Sequence, residues 1–261
     1  MYTHRYGRRL LRFFPSLLEY PRKSHEVGTM TYAVLATSPE RQELGIALCT
    51  ITLNAGRITP LHFGLLPHWD EKGFIVTAQA TANPLNAYRM NDLRQQGKTF
   101  SQIEDELGRS DPYFSWRQIG AVTAGGEVYG YTGANAYDHK SHIIGKGSIA
   151  IGNFCQGDKP VNAMAAALAA GASLPLAERL LNALEAGRDA GGQFDPQRGH
   201  VPEVFASMLV FNGKQPWPAV DLRVELDLHA IAKLRRLYHQ TRRIDPMLAA
   251  MYADPQRTFE E

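Results

Sequence analysis

Cysteine is nearly absent from this chain of 261 residues: Cys49 and Cys155 are the only two, and neither belongs to a C-x-x-C pair. A disulfide framework is therefore excluded, and so sparse a thiol content makes a reducing, cytoplasmic home the expectation. No apolar run approaches the roughly 18 to 20 residues that a helix needs to cross a bilayer, so a helical membrane protein is excluded as well. A chain of this size buries on the order of 70 to 75% of the surface its unfolded form exposes, and its core needs no metal. The signatures G-x-S-x-G, G-K-[ST], H-E-x-x-H and G-x-G-x-x-G are all missing, which removes the common hydrolase, kinase and dinucleotide-binding classes. A strong excess of one charge is missing too. The formal charge is +2, and its sign comes from the first thirty residues, where six basic side chains face two acids. The remaining 231 residues carry two more acids than bases, so neither nucleic acid nor an anionic membrane is an expected partner.

The first thirty residues place Arg8 and Arg9 before a short apolar stretch, superficially like an export signal. Arg12 and Pro15 interrupt that stretch, and no apolar run of about 7 to 15 residues or small-residue cleavage site follows. Residues 1–30 are thus expected to form a basic extension that is disordered or not translated, an Arg-rich targeting peptide being the remaining alternative. In the untranslated reading Met30 is the start. Glu26-Val27, encoded as GAG-GTN, would then place a purine-rich ribosome-binding element just upstream.

What the chain does contain is paired strands. Thr31 to Ala36 and Leu44 to Thr52 are apolar, β-rich runs separated by a turn at Ser38-Pro39-Glu40, and Gly73 to Ala80 reads as a third strand. Asn54 to Lys72, rich in Gly, Pro and His, reads as a surface loop. Thr99-Phe100-Ser101-Gln102 has the form of a capping box, and Phe100, Ile103 and Leu107 follow at helical spacing, the second helix of a pair. Trp116 to Thr123, Gly125-Gly126 and Glu127 to Thr132 form a strand, tight turn and strand. Ser148 to Phe154 is a strand, followed by helical stripes at Val161, Met164, Leu168 and at Leu176, Leu180, Leu184, with Gly187, Gly191 and Gly192 closing the second. Val204 to Phe211 and Val220 to Leu226 are strands, and Leu228 to Arg243 is a helical tail. Hairpin-like pairs interrupted by helical pairs predict an α+β protein with antiparallel sheets, in one domain from Thr31 to about residue 227 with the tail packed on it.

Among residues that could carry chemistry, Asp138, His139 and His142 stand close enough to suggest a metal site. They fall between strands, however, where side chains three apart need not converge, so a solvated loop is expected. His62 and His68 flank another loop, and Cys155 offers a thiol without an identifiable partner histidine.

Six segments in order, MTYAVLATSPERQELGIAL, AQATANP, WRQIGAVTAGGEVYGYTG, HIIGKGSIAIGN, PLAERLLNALEAG and VDLRV, together resemble the uncharacterised bacterial family known as domain of unknown function 1028, over Thr31 to Leu237. That family is similar to N-terminal-nucleophile (Ntn) hydrolases. The resemblance implies an Ntn-hydrolase-like four-layer αββα sandwich with two antiparallel sheets, and no metal or organic cofactor. Sandwiches of this kind often associate through their outer helices, which admits a homo-oligomer. Family members begin Met-Thr where this chain has Met30-Thr31, so the resemblance implies Thr31 as nucleophile. A free α-amino group with a pKa of about 7.7 to 8.0 can take the hydroxyl proton, making one residue both nucleophile and base. Nothing can then precede Thr31. Asn83 and Asn153 match family positions as oxyanion donors or, equally, as turn caps. Thr50, Gln79 and His142 match positions that would face a small-molecule or peptide-like amide. For Thr31 the alternative is an edge threonine in a strand. Departures are Ser38 where relatives carry an acid, Gly191-Gly192-Gln193 where they have Gly-Gly-Asp (Asp195 follows nearby), and a longer Asn54 to Lys72 segment. The expected activity is hydrolysis of a linear amide bond. The alternative is a catalytically silent relative serving as a ligand-binding or assembly module.

Overall fold

The computed structural model describes residues 30–137, 139–197 and 199–254, so the basic extension and Asp138 lie outside the described residues. In chain order the elements are β1 (Thr31–Ser38), β2 (Glu43–Thr50), β3 (Leu61–Phe63), β4 (Phe74–Ala80), α1 (Leu85–Gln95), α2 (Phe100–Ser110), β5 (Arg117–Thr123), β6 (Val128–Thr132), β7 (Ser141–Gly145) and β8 (Ser148–Asn153). They continue as α3 (Lys159–Ala170), α4 (Leu176–Asp189), β9 (Gln193–Asp195), β10 (Gly199–Val201), β11 (Phe205–Asn212), β12 (Val220–Glu225) and α5 (Ala230–Ala253). This is a mixed α/β fold with antiparallel sheets: a six-stranded sheet ordered β12-β11-β2-β1-β8-β7, a four-stranded sheet ordered β3-β4-β5-β6, and the pair β10-β9.

β1 explains why TYAVLA reads as continuously apolar. It lies between β2 and β8, and all eight of its residues are buried, because both faces of the strand are covered. Ala33 and Leu35 join Ile46, Leu48, Ile149 and Ile151 against Ile75 and Val122 of the four-stranded sheet. Tyr32, Val34 and Ala36 face the other way, onto Met164 and Leu168 of α3 and Leu180 and Leu184 of α4, where Ile231, Leu234 and Tyr238 of α5 also pack. A third cluster places Met90 of α1 and Ile103 and Leu107 of α2 on Val76, Ile119 and Ala121. Each fully buried aliphatic side chain contributes roughly 1.5 to 3 kcal/mol, so these three cores fix which sheet face meets which layer.

Local signals specify the connections. Thr99 Oγ1 accepts the Gln102 amide at 3.3 Å while Gln102 Oε1 accepts the Thr99 amide at 3.0 Å, the reciprocal box that starts α2. The β5–β6 turn passes through Gly126 at φ 97°, a conformation that glycine adopts without strain.

Four expectations need correction. The segment Asn54 to Lys72 is not wholly irregular: Leu61–Phe63 pairs with β4, Leu61 and Phe63 packing on the α1/α2 core while His62 lies against Phe211 at 4.6 Å. Three residues are too few to show a period. The stretch after Asp138 is not entirely a solvated loop either, since Ser141 and His142 begin β7, the edge strand paired with β8. Gly187 does not close α4; it lies inside the helix, where a Cβ would meet Met164 Cγ at 2.8 Å and Tyr32 Cε2 at 3.2 Å, so glycine there permits close packing. Finally, α5 continues past Arg243 to Ala253, through Pro246.

Candidate active site

The space between the two sheets changes character along its length. Thr31, Thr50 and Asn153 are register partners across β2, β1 and β8, so their side chains share one face, the face that Ala33, Leu48 and Ile151 continue into the apolar core. From the opposite sheet, Gln79 at the end of β4, Gln118 at the start of β5 and Thr132 at the end of β6 meet them. His142 joins from β7.

Hydrogen bonds tie these residues into two adjoining groups. Thr31 Oγ1 donates to Thr50 Oγ1 at 3.1 Å, and Thr50 Oγ1 donates to the Met30 carbonyl at 2.6 Å while accepting the Thr52 amide at 3.1 Å. Gln118 is the hub of the other half. Its Oε1 accepts from Asn153 Nδ2 at 3.0 Å and Gln79 Nε2 at 2.8 Å. Its Nε2 faces the Gly152 carbonyl at 3.0 Å, Thr132 Oγ1 at 3.1 Å and the Ser141 carbonyl at 3.2 Å. Thr132 Oγ1 also shares a hydrogen bond with His142 Nδ1 at 2.8 Å, the imidazole tautomer deciding which of the two atoms donates. The ring fits there because residue 130 is glycine: a Cβ would stand 2.6 Å from His142 Cδ2. Burial holds His142 below the usual histidine pKa of 6.5, with Glu104 opposing.

Thr31 is 5% exposed and Asn153 wholly buried. Two acceptors in the group, Gln79 Oε1 and Asn153 Oδ1, are buried with no hydrogen-bond partner among the described residues. Such atoms carry a desolvation penalty of about 1 to 3 kcal/mol each. An added N–H donor at this point would relieve it.

The structure brings together Thr31, Thr50, Gln79, His142 and Asn153, and it settles that Thr31 is in a central strand, not an edge. Asn83 goes elsewhere. Its Oδ1 accepts the Leu85 amide at 3.2 Å, the turn-capping arrangement, and its Nδ2 reaches Asn86 and Asp111, each at 3.4 Å. Asp111 in turn accepts from Arg117 Nε at 2.9 Å, and that guanidinium holds its carboxyl far below the usual range. Cys155 is fully buried, and its thiol is pushed up to about 12 by burial and by Glu203, so it is no thiolate near neutrality. Gln118 is the residue that sequence reasoning missed. Its signal was available: in RQIGAVT it is the one polar side chain on the face shared by Gly120 and Val122.

With antiparallel sheets and a polar end to the inter-sheet core in place, comparison with known proteins assigns the family. The chain belongs to the family of unknown function DUF1028, whose model matches residues 31–234. A crystal structure of a Silicibacter pomeroyi protein described by the same family model is similar at 24% identity and TM-score 0.68, over 81% of this chain and 88% of that one. Anbu, the ancestral beta-subunit, from Yersinia bercovieri aligns at 10% identity and TM-score 0.39, over 88% and 99%. An Anbu (Gly-1) mutant from Hyphomicrobium sp. strain MC1 does so at 14% and 0.36, over 84% and 99%. No curated protein matches the chain. Among the described residues no helix is long and apolar enough to cross a membrane.

Proposed function

We propose that this chain is an Ntn-type hydrolase that cleaves a linear amide bond with Thr31 as nucleophile, on a four-layer αββα sandwich. The layering is supported by the three cores, one between the sheets and one under each helical group. The observation that carries the reading is the placement of Thr31: buried, at a strand end, its hydroxyl bonded to an oriented Thr50, and in register with Asn153, whose Oδ1 has no partner among the described residues.

As long as Met30 is joined to Thr31, the nitrogen that would act as base is an amide and cannot accept a proton. With residues 1–30 removed, that nitrogen becomes an amine beside Thr50. It takes the hydroxyl proton as Thr31 Oγ1 attacks the substrate carbonyl, and returns it to the departing amine; water then hydrolyses the Thr31 ester. Asn153, the register partner of Thr31, is the proposed oxyanion donor through Nδ2, which also donates to Gln118 Oε1. Thr50, Gln79 and His142 line the approach, and Asn83 takes no part.

Intact-mass analysis tests this with a chain beginning at Thr31 and an electrophilic lactone probe. One acyl group should add to the parent and none to Thr31→Ala. Equal labelling of both, or turnover by protein whose Thr31 is still linked to upstream residues, would overturn the proposal and leave a silent relative of the fold.

A further inference from the structure

β1 also ends in a second cavity. At its Ser38 end, on the order of 20 Å along the strand from Thr31, a space of about 850 Å³ opens between α3, the β7–β8 turn and the start of α4. Its polar lining includes Lys146, Ser148 and Arg179, and its wall is mainly apolar, with Ile143, Leu168 and Ala169.

Arg179 is the unusual member. It is only 5% exposed, yet among the described residues no carboxylate hydrogen-bonds to it. Its Nε donates to the Leu168 carbonyl at 2.8 Å, satisfying an acceptor in the last turn of α3, and Nη1 reaches the Thr37 carbonyl at a long 3.4 Å. Nη2 has no hydrogen-bond partner among the described residues. The acid that lines the same cavity, Glu40, has a side chain 67% exposed and turned toward Arg41 at 3.9 Å. The idle edge opens on the cavity, and the guanidinium fork matches the paired oxygens of a carboxylate or phosphate. Capping α3 accounts for Nε; it leaves Nη2 without a role.

We propose that this cavity binds a small organic anion, its carboxylate or phosphate head on Arg179 with Lys146 at the mouth, and a short aliphatic body against Leu168 and Ala169. The cavity lies within the roughly 300 to 1,000 Å³ range of small-molecule sites, and a mainly apolar wall with few polar anchors is their usual composition. This site is separate from Thr31 and needs no free amine there.

Calorimetric titration of the full chain with hexanoate, hexyl phosphate, hexan-1-ol and hexylammonium tests it. At least one of the two anions should bind saturably at one site, the alcohol and the cation should not, and the preferred anion identifies the head group. Arg179→Gln should weaken that binding at least tenfold. Ala169→Phe, at an exposed helix position that narrows the cavity, should weaken it without disturbing the fold. If Arg179→Gln does not fold, the discrimination against hexanol and the Ala169→Phe result decide. Absence of saturable anion binding to the parent, equal binding of hexanol, or binding indifferent to the folded variants would overturn the proposal.

Discussion

The two halves of the space between the sheets follow opposite rules. Leu35, Ile46, Ile75 and Val122 are apolar and fully buried, and the neighbouring Thr77 has its hydroxyl paired with Thr59 at 3.0 Å, the arrangement that stabilises a fold. Around Thr31, Asn153, Gln79 and Gln118 burial is just as complete, but the side chains are polar and two acceptors are unpartnered. A fold that departs locally from the rule it obeys elsewhere does so most often where it works. The Asp111–Arg117–Asn86 group sharpens the contrast, since its buried carboxylate is met from several sides.

The largest stability effect should come from the apolar half. Leu35→Ala removes a wholly buried side chain from a central strand and should cost about 2 to 5 kcal/mol, read as a lower urea midpoint with unchanged slope. A cost below about 1 kcal/mol would mean that this half is not the close-packed one.

Gln118→Leu should come next, at about 2 to 3 kcal/mol, because it strands the donors of Asn153 and Gln79 and three former acceptors in a dry setting. Thr31→Ala should cost least, about 1 kcal/mol. Thr50 keeps its bonds to the Met30 carbonyl and the Thr52 amide, so only one hydroxyl contact is lost. The pair makes a sharp test when urea midpoints of the full chain are set beside probe labelling of the chain beginning at Thr31: Gln118→Leu lowers both, whereas Thr31→Ala abolishes labelling and leaves the full chain nearly as stable as the parent. Thr31→Ala destabilising as much as Leu35→Ala would make that threonine structural.

The apolar half was legible in the sequence and the polar half only partly, for one physical reason. Continuous runs such as TYAVLA, the stripes of α3 and α4 and the Thr99 capping box express their environment within a few residues. A polar group assembled from seven strands does not. Thr31, Thr50, Gln79, His142 and Asn153 were picked out by family resemblance, and nothing local says that they meet. Gln118 hid inside a strand that reads as core, and β7 hid because its inward residue is a histidine. Asn83 looked equivalent to Asn153 because both close a strand–turn segment. One hydrogen-bonds its own turn and the other crosses to the facing sheet, a difference set by long-range packing.

His142 gives the smallest and most specific test of the polar half. Burial favours its neutral form, against the opposing pull of Glu104. Its folded pKa therefore lies below 6.5, close to where the unfolded chain titrates. Between the two values the unfolded state holds more protons, so this residue makes stability rise with pH across that window, contributes fully above about 6.5, and loses its contribution as pH falls to the folded value. Urea midpoints measured from pH 5 to 7.5 should thus climb less steeply in His142→Gln than in the parent, and the His142 ring protons should titrate below 6.5 by nuclear magnetic resonance. Gly130→Ala, which crowds the same ring, should move that midpoint while leaving β5–β6 pairing intact. A ring that titrates at or above 6.5 would show that water reaches this end of the layer freely, and the contrast between the two halves would then be one of side-chain type without a difference in solvation.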